Sequence, residues 1–321
     1  MVTAVCTLFE GDYHCGVATL FNSLVRNGYR GRLFAGYRGA RPEWSHPAIP
    51  TALGSWNEAW ILEVVEGCEV VFLPLATNIH FANFKPDFML ALFDQQPSVD
   101  YLFYLDPDIC LVRDWQFIDR WSSCGVALCE DVNSPVAEHH PRRVGWERHF
   151  AAHGVRLTHR GSAYVNSGCV GAAREHREFL ENWRRLTGYM GEVIGGLGVT
   201  KVERGEAFSG KGFASCFDCP DQDTLNAAMQ MTDSTTFSVL PRCAMGFEPG
   251  DIVLPHALGR DKPWRRRYLY GALQGRVPTY ADKAFWTYAD GPIKYVPNGR
   301  LAITRGTLRA ASAIGRIYQR R

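Results

Sequence analysis

The chain has 321 residues, of which 46% are hydrophobic and 21% are charged, and its formal net charge is +2. This composition predicts a globular protein with a large core, and so small a net charge does not favour nucleic acid as the main partner. No segment reaches the roughly 18 apolar residues that span a bilayer, and the start lacks a secretory signal pattern. The ten cysteines are scattered and several lie in apolar runs, so we expect a cytoplasmic protein with reduced thiols.

Strands and helices alternate along the first part of the chain. The pattern predicts a buried strand at 2–9, a helix between the turn 10–13 and Gly28, strands at 32–37 and 69–73, and an apolar helix from about 86 to 93. Such alternation is typical of an α/β fold with a mostly parallel central sheet flanked by helices. The glycine-rich dinucleotide and P-loop patterns are both missing from this region.

The second part of the chain is less regular. We expect strands at 125–129, 164–171, 236–240 and 251–254, and helices at 174–190 and from 220 onward. Residues 130–160 lack apolar periodicity, which predicts a functional loop or lid, and residues 191–215 contain seven glycines, which predicts a mobile connection. Residues that bind an acceptor are expected in these two segments.

The strand Tyr101–Leu105 ends at two carboxylates, Asp106 and Asp108, separated by one proline. In an open α/β sheet, ligands bind beyond the carboxyl ends of the strands, and paired carboxylates there suit Mg²⁺ or Mn²⁺. Two acids at this spacing are also common on solvated loops, and a similar pattern occurs in phosphatases with an Asp nucleophile. Cys110 stands where those phosphatases have Thr or Val, and their later Gly-Asp motif is not matched.

A second group of polar residues runs from His256 to Trp264. A lone His at a strand end is more often structural, but with two distant carboxylates it would complete a metal site. Gly259 would let the backbone approach a phosphate, and Lys262 would neutralise its charge. A metal and a lysine on a diphosphate would stabilise the charge of a leaving nucleoside diphosphate.

Four spaced motifs together resemble the GT-A glycosyltransferases of family 8, the type that includes glycogenin and lipopolysaccharide galactosyl- and glucosyltransferases. They lie at Tyr104–Asp108, Asn166–Gly168, Asp221–Asn226 and His256–Trp264, and the resemblance covers roughly residues 3 to 270. It implies a Rossmann-like GT-A fold. It also implies transfer of a hexose from a nucleotide diphosphate sugar to a hydroxyl acceptor, such as a glycan or lipid-linked saccharide, with retention of configuration.

The resemblance assigns roles to individual residues. Mn²⁺ or Mg²⁺ would be bound by Asp106, Asp108 and His256, and the catalytic residues would be Gln222, beneath the anomeric carbon, with Asp221 and Asp223. Further contacts with the donor are implied for Thr7, Leu8, Tyr13, Lys85, Asp106, Asn166, Gly259 and Lys262. Base preference is open, with uridine as the default, because Glu10-Gly11-Asp12-Tyr13 replaces the usual Asp-Asp-x-Tyr.

Three other classes remain open beside the transferase, and one is a phosphatase, which would act on simple phosphate esters and need no nucleotide. A non-catalytic nucleotide-sugar-binding homologue would keep the same fold and the same motifs. A sugar-phosphate nucleotidyltransferase needs a glycine-rich N-terminal motif with Arg and Lys, which this chain lacks.

We expect one catalytic domain and a basic tail. The domain would cover 1–290, with a donor half at about 1–130 and an acceptor and metal half at about 131–290. Residues 291–321 contain no acidic residue, and Leu301, Leu308, Ala311, Ile314 and Ile317 recur at helical spacing. Such a helix would lie on the inner face of an anionic membrane, as a peripheral contact, or pack on the body with its arginines in water.

Overall fold

The computed structural model describes residues 2–159, 161–199, 216–231 and 235–317. The strands are β1 Thr3–Glu10, β2 Gly31–Arg38, β3 Ile49–Leu53, β4 Trp56–Val65, β5 Cys68–Pro74, β6 Tyr101–Leu105, β7 Val126–Glu130, β8 Val165–Ala173 and β9 Phe237–Leu240. The helices are α1 His14–Arg26, α2 Phe81–Gln95, α3 Trp115–Ser122, α4 Pro141–Ala152, α5 Arg177–Ile194, α6 Pro220–Ala228, α7 Tyr268–Leu273, α8 Tyr280–Tyr288 and α9 Asn298–Ile317.

The strands form one sheet in the order β3-β4-β5-β2-β1-β6-β8-β7-β9. Its centre is parallel, because β1 pairs in parallel with both β2 and β6, and β2 pairs in parallel with β5. β8 runs antiparallel to β6, so it begins at the edge where β6 ends. The turn after β1, the acidic turn after β6 and the start of β8 therefore meet at one edge of the sheet.

Helices cover both faces of the sheet, as the alternating pattern predicts. Side chains alternate between the faces of a strand, so Cys6 and Leu8 pack with α2 and α5, whereas Val5 and Phe9 pack with α1 and α3. Each large aliphatic or aromatic side chain buried this way contributes about 1.5–3 kcal/mol. The predicted α/β fold with helices on both faces is confirmed.

The structure corrects several of the predicted strands and helices. The antiparallel hairpin β3–β4 was not predicted, because its exposed and half-buried residues give no clear alternation. α2 begins at Phe81 rather than near 86, with the His80 side chain accepting a hydrogen bond from the Ala82 backbone N–H at 3.1 Å. Residues 251–254 form no strand, and the adjoining His256 makes only an isolated bridge with Ile109.

The segment 130–160 is not an irregular lid throughout. It contains α4, on which Trp146 and Phe150 are fully buried. The Trp146 indole N–H donates to the Cys216 backbone carbonyl at 2.9 Å. Of the predicted mobile connection at 191–215, residues 200–215 lie outside the described residues.

The C-terminal helix α9 packs on the body of the protein. Leu301, Leu308 and Ala311 are buried in a small core with residues of α7 and α8. Asn22 of α1 ties the preceding segment down, because its amide donates to the Ile293 carbonyl at 3.0 Å and its carbonyl accepts from the Ile293 N–H at 2.8 Å. The apolar stripe of the tail therefore faces protein. None of the helices in the described ranges is long and apolar enough to cross a bilayer.

Candidate active site

A cavity of about 410 Å³ opens at the edge of the sheet where β1 and β6 end. Most residues predicted to bind metal or donor line it: Leu8, Tyr13, Lys85, Asp106, Asp108, Asn166, Asp221, Gln222, His256 and Lys262. Thr7, Asp223 and Gly259 were also predicted to belong to the site, but they do not line the cavity. Side chains that the sequence prediction missed, notably His80, Ser167 and Cys219, complete the wall.

Asp106, Asp108 and His256 converge at the bottom of this cavity. The His256 Nε2 atom lies 3.3 Å from the Asp108 Oδ1 atom and 3.8 Å from the Asp106 Oδ2 atom. One possible ligand atom from each residue falls within 4.8 Å of the others. Two carboxylates and an imidazole are a donor set that suits Mn²⁺ or Mg²⁺, so the residues present fit a divalent ion.

Main-chain hydrogen bonds bring His256 to the two aspartates, although about 150 residues separate them. The segment that contains His256 runs along the chain that follows β6. The N–H groups of Cys110 and Val112 donate to the carbonyls of Pro255 and Val253, and the Ala257 N–H donates to the Asp108 carbonyl. These bonds fix the imidazole opposite the carboxylates.

Two glycines allow this close packing. A Cβ atom at Gly168 would lie 2.7 Å from both the Asp106 Oδ2 atom and the His256 Cε1 atom. A Cβ atom at Gly16, on α1, would collide with the carbonyl of Pro107. A glycine is therefore needed in the Asn166–Gly168 motif because the metal-site side chains occupy the space beside it.

Lys262 makes an ion pair with one of the candidate metal ligands. Its Nζ atom lies 2.6 Å from the Asp108 Oδ2 atom and also donates to the Ala257 carbonyl at 3.2 Å. Burial raises the pKa of Asp108, but the interactions of its carboxylate with His256 and Lys262 outweigh burial and hold that pKa below its usual range. Gly259, three residues before Lys262, has a φ of +93°, a conformation that favours glycine.

Lys85 is a buried cation that joins the acidic turn to α6. Its Nζ atom lies 3.0 Å from the Asp221 Oδ2 atom and 3.3 Å from the Asp106 Oδ1 atom, and it donates to the Ser167 carbonyl at 3.1 Å. Burial lowers the pKa of Lys85, but the two carboxylates raise it by more, so the ammonium stays charged. The lysine thus fixes both acids at the cavity wall.

Gln222 and Asp221 are held at the start of α6 by Ser167. The Ser167 backbone N–H donates to Gln222 Oε1 at 3.2 Å, and its hydroxyl donates to Asp221 Oδ2 at 2.6 Å. The Gln222 amide nitrogen makes no side-chain hydrogen bond to any residue of the described ranges. It can therefore donate to a ligand in the cavity.

Asn166 is oriented by a residue that the sequence prediction missed. The buried carboxylate of Asp131 accepts a hydrogen bond from Asn166 Nδ2 at 2.7 Å, and Asn166 Oδ1 accepts from the Gly168 N–H at 2.9 Å. Asp131 directly follows β7, whose direction is the same as that of β6. An acid directly after a buried strand was the available signal, the same one that identified Asp106.

Two predicted site residues lie behind the cavity wall. Asp223 is fully buried, and it accepts hydrogen bonds from the Tyr164 hydroxyl at 2.7 Å and the Cys219 N–H at 2.8 Å. Burial raises the pKa of Asp223 to about 7, against the opposing effect of Arg142. Thr7 is also fully buried, and its hydroxyl has no partner within the described part of the chain. Neither side chain lines the cavity, and the roles predicted for them in donor binding and catalysis stay predictions.

The turn after β1 is tied to the end of the His256–Trp264 segment. Asp12 accepts a hydrogen bond from the Trp264 indole at 3.0 Å and is paired with Arg265. The Tyr13 and Trp264 rings meet edge to face at 5.3 Å. Both hydrogen-bond partners of Asp12 thus lie at the end of that segment or directly after it. Glu10 pairs with Arg38 and lines the cavity.

No protein-family model and no curated protein matches this chain. Among solved structures it is similar to the galactosyltransferase LgtC in complex with donor and acceptor sugar analogues, with 15% identity, a TM-score of 0.50, and 95% of this chain and 100% of that chain covered. The apo bifunctional glycosyltransferase WbbM gives 12% identity, a TM-score of 0.50, and coverage of 94% and 51%.

The glycosyltransferase GlyE of Streptococcus pneumoniae TIGR4 gives 15% identity, a TM-score of 0.49, and coverage of 97% of this chain and 64% of that chain. The chain thus spans the whole of LgtC but less than two thirds of GlyE and WbbM. Sequence identities this low bear on the fold alone. With its central sheet flanked by helices, this chain has the GT-A fold of glycosyltransferases and resembles family 8.

Proposed function

We propose that the protein is a metal-dependent hexosyltransferase that uses a nucleotide diphosphate sugar and retains the configuration at the anomeric carbon. The observation that carries this proposal is the convergence of Asp106, Asp108 and His256, with Lys262 beside them, in one cavity of a GT-A fold. Asp221 and Gln222 lie in the same cavity, where a donor sugar would need polar partners.

Different residues of the cavity would act on the two ends of the donor, the diphosphate and the sugar. Mn²⁺ or Mg²⁺, held by Asp106, Asp108 and His256, would stabilise the negative charge that develops on the departing nucleoside diphosphate. Lys262 would add a positive charge on the same side. At the sugar end, Asp221 would accept a hydrogen bond from a hydroxyl, and the partial negative charge of Gln222 Oε1 would stabilise the electron-poor anomeric carbon, while the amide nitrogen could donate to a sugar oxygen.

The donor base and the acceptor are narrower parts of the same proposal. We infer a UDP-sugar donor and a sugar hydroxyl acceptor, as part of a glycan or a lipid-linked saccharide. Glu10 and Tyr13 at the end of β1 support the assignment of the base, because a carboxylate can accept the imino N–H of uracil and a phenol ring can pack on its face.

A screen of nucleotide diphosphate sugars with and without Mn²⁺ tests the proposal. Thermal shift reports binding, since a ligand at about 100 times its Kd stabilises the folded state by about 2.7 kcal/mol. Release of nucleoside diphosphate reports turnover. A transferase should show both, and binding without any turnover would identify a non-catalytic homologue.

Asp108→Asn is the first variant to test, with Asp251→Asn as its control. The amide keeps the size of the side chain but removes a charged metal ligand, so Mn²⁺-dependent turnover should fall at least a hundredfold while the protein stays folded, with a Tm lowered by the loss of the ion pair to Lys262. Asp251 is exposed and lies outside the cavity, and its variant should behave as the parent. Near-normal turnover of Asp108→Asn in Mn²⁺ would refute the assigned site.

A further inference from the structure

A second concave surface lies between α9 and the rest of the protein, and its walls are basic. We call it the basic groove and define it by Arg26, Lys283, Arg305, Arg309 and Arg316. It consists of two adjoining cavities of about 350 and 300 Å³, which share Lys283, Leu308 and Arg309. Trp286 and Leu308 form its apolar floor.

The helical repeat places three of the four arginines of α9 on one side. Arg305, Arg309 and Arg316 are separated by four and seven residues, which at 3.6 residues per turn leaves them on a single stripe. That stripe faces Lys283 of α8 and the end of α1, where Arg26 lies. Residues from three helices thus direct positive charge at the same space.

Little negative charge balances this group. The one acidic residue along the described walls is Asp290, and it is already paired with Lys294 at 2.7 Å and Arg305 at 3.3 Å. Lys283, Arg309 and Arg316 make no ion pair with any carboxylate of the described residues. In a chain with a net charge of only +2, this is a local surplus that would attract an anion.

Contacts with neighbouring groups hold two of the cations of the groove in place. The Arg305 guanidinium donates to the carbonyls of Trp286 at 2.9 Å and Thr287 at 3.1 Å, at the end of α8. Arg26 lies over the Tyr288 ring at 5.8 Å. These contacts hold two of the five cations in place, so an anion would not have to order all of the side chains.

The groove is separate from the donor cavity. α1 has 13 residues, so it is about 20 Å long, and it begins just after Tyr13 at the cavity and ends at Arg26 in the groove. A diphosphate bound at Lys262 could not reach Arg26. Any anion in the groove would therefore be a second ligand.

We propose that the basic groove binds the phosphate groups of an anionic ligand. Guanidinium groups form paired hydrogen bonds with phosphate oxygens, and Lys283 would add a point charge at the centre of the groove. The phosphate could belong to a lipid headgroup or to a soluble phosphorylated molecule. The proposal is independent of the transferase activity and would stand without it.

Tripolyphosphate and lipid vesicles are the probes that test it. The groove variant is Lys283→Gln with Arg309→Gln, and the matched control is Arg267→Gln with Arg300→Gln, which removes the same charge from exposed positions outside the two cavities. Tripolyphosphate binding is measured by calorimetry in EDTA at low salt. We expect Kd to rise at least tenfold in the groove variant and less than twofold in the control, with equal Tm values.

Vesicle sedimentation then separates the two sources of phosphate. Vesicles of phosphatidylcholine with 30% phosphatidylglycerol are compared with phosphatidylcholine alone. Sedimentation of the parent and the control but not of the groove variant assigns a lipid headgroup, whereas tripolyphosphate binding alone assigns a soluble ligand. The proposal is overturned if neither probe binds, or if both double variants lose binding equally.

Discussion

Lys262 and a divalent ion would compete for the same carboxylate. The lysine ammonium pairs with Asp108, which the proposed metal site also uses. When a nucleotide diphosphate enters with the metal, the lysine can exchange Asp108 for a phosphate oxygen, because a flexible four-carbon stem carries its charge. Metal and nucleotide should then bind cooperatively, each favouring the position of Lys262 that suits the other.

Lys262→Met tests this exchange at the level of one residue. Without the ammonium, Mn²⁺ should bind the nucleotide-free protein about tenfold more tightly, since a charge-assisted hydrogen bond of about 1.5–3 kcal/mol no longer competes. Nucleotide diphosphate should bind more weakly. Titration of Mn²⁺ followed by electron paramagnetic resonance measures the first effect and calorimetry the second. Lys294→Met, at an exposed pair, is the control, and unchanged Mn²⁺ affinity in Lys262→Met would rule out competition.

Gly168→Ala tests the packing of the metal site. The added methyl group would displace the Asp106 carboxylate or the His256 imidazole, each 2.7 Å away, so Mn²⁺ affinity should fall at least tenfold. Gly188→Ala is the matched control, because a Cβ atom there meets nothing within 4 Å and alanine favours the helix. Equal Mn²⁺ affinity in the two variants would contradict the described geometry.

The raised pKa of Asp223 predicts how stability depends on pH. Burial raises it to about 7 from 3.8, so between pH 4 and 7 the folded state binds more protons at this site than the unfolded state. The free energy of unfolding should therefore fall as pH rises through this window, by up to about 1.4 kcal/mol per pH unit from this group. Urea unfolding of the parent and Asp223→Asn measures it. The variant should show a flatter profile, and parallel profiles would contradict the assignment.

At the scale of elements, local sequence patterns indicated the strands that carry the site better than those at the margins. β1 and β6 were predictable because their residues are buried on both faces and form continuous apolar runs. The approach of His256 to the aspartates was expected from the residue types that make a metal site and from the resemblance to a family. The bonds that produce it join backbone groups far apart in the chain, and no local pattern encodes them.

Helix α4 shows why other elements were missed. Three of its four buried residues, Trp146, His149 and Phe150, are aromatic, and they are too few to give a clear period among the arginines, glutamate and glycine around them. Its place depends on long-range contacts, such as that of Trp146 with the Cys216 carbonyl. The hydrogen bond between Asp131 and Asn166 is also a long-range contact. The sequence shows an acid directly after a strand at Asp131, but no local pattern indicates that it contacts Asn166.

Trp146→Ala tests whether the segment 130–160 is part of the core. Removing a fully buried indole should lower the free energy of unfolding by about 3–5 kcal/mol, because a cavity forms and the Cys216 carbonyl loses its donor. Phe117→Ala, at a partly exposed aromatic, should cost less than about 1 kcal/mol. Urea denaturation measures both. Equal losses would indicate a lid rather than a core element.

On the scale of the whole molecule, the cavity with the candidate metal site and the basic groove lie at opposite ends of α1. The carboxyl edge gathers the acidic turn, the start of α6 and the His256 segment around one cavity, whereas the far end of α1 meets the basic groove. The two proposals together assign a metal and a diphosphate to one end of the molecule and a different anion to the other.

The docking of α9 has a practical consequence for shortened versions of the chain. A truncation after residue 290 would remove Ile293, the partner of Asn22, and would leave Tyr268, Ala272 and Phe285 open to water where Leu301 and Leu308 now cover them. Apolar patches of this kind promote self-association. Preparations lacking the last thirty or so residues should consequently aggregate during purification, even with every side chain that lines the cavity at the sheet edge intact.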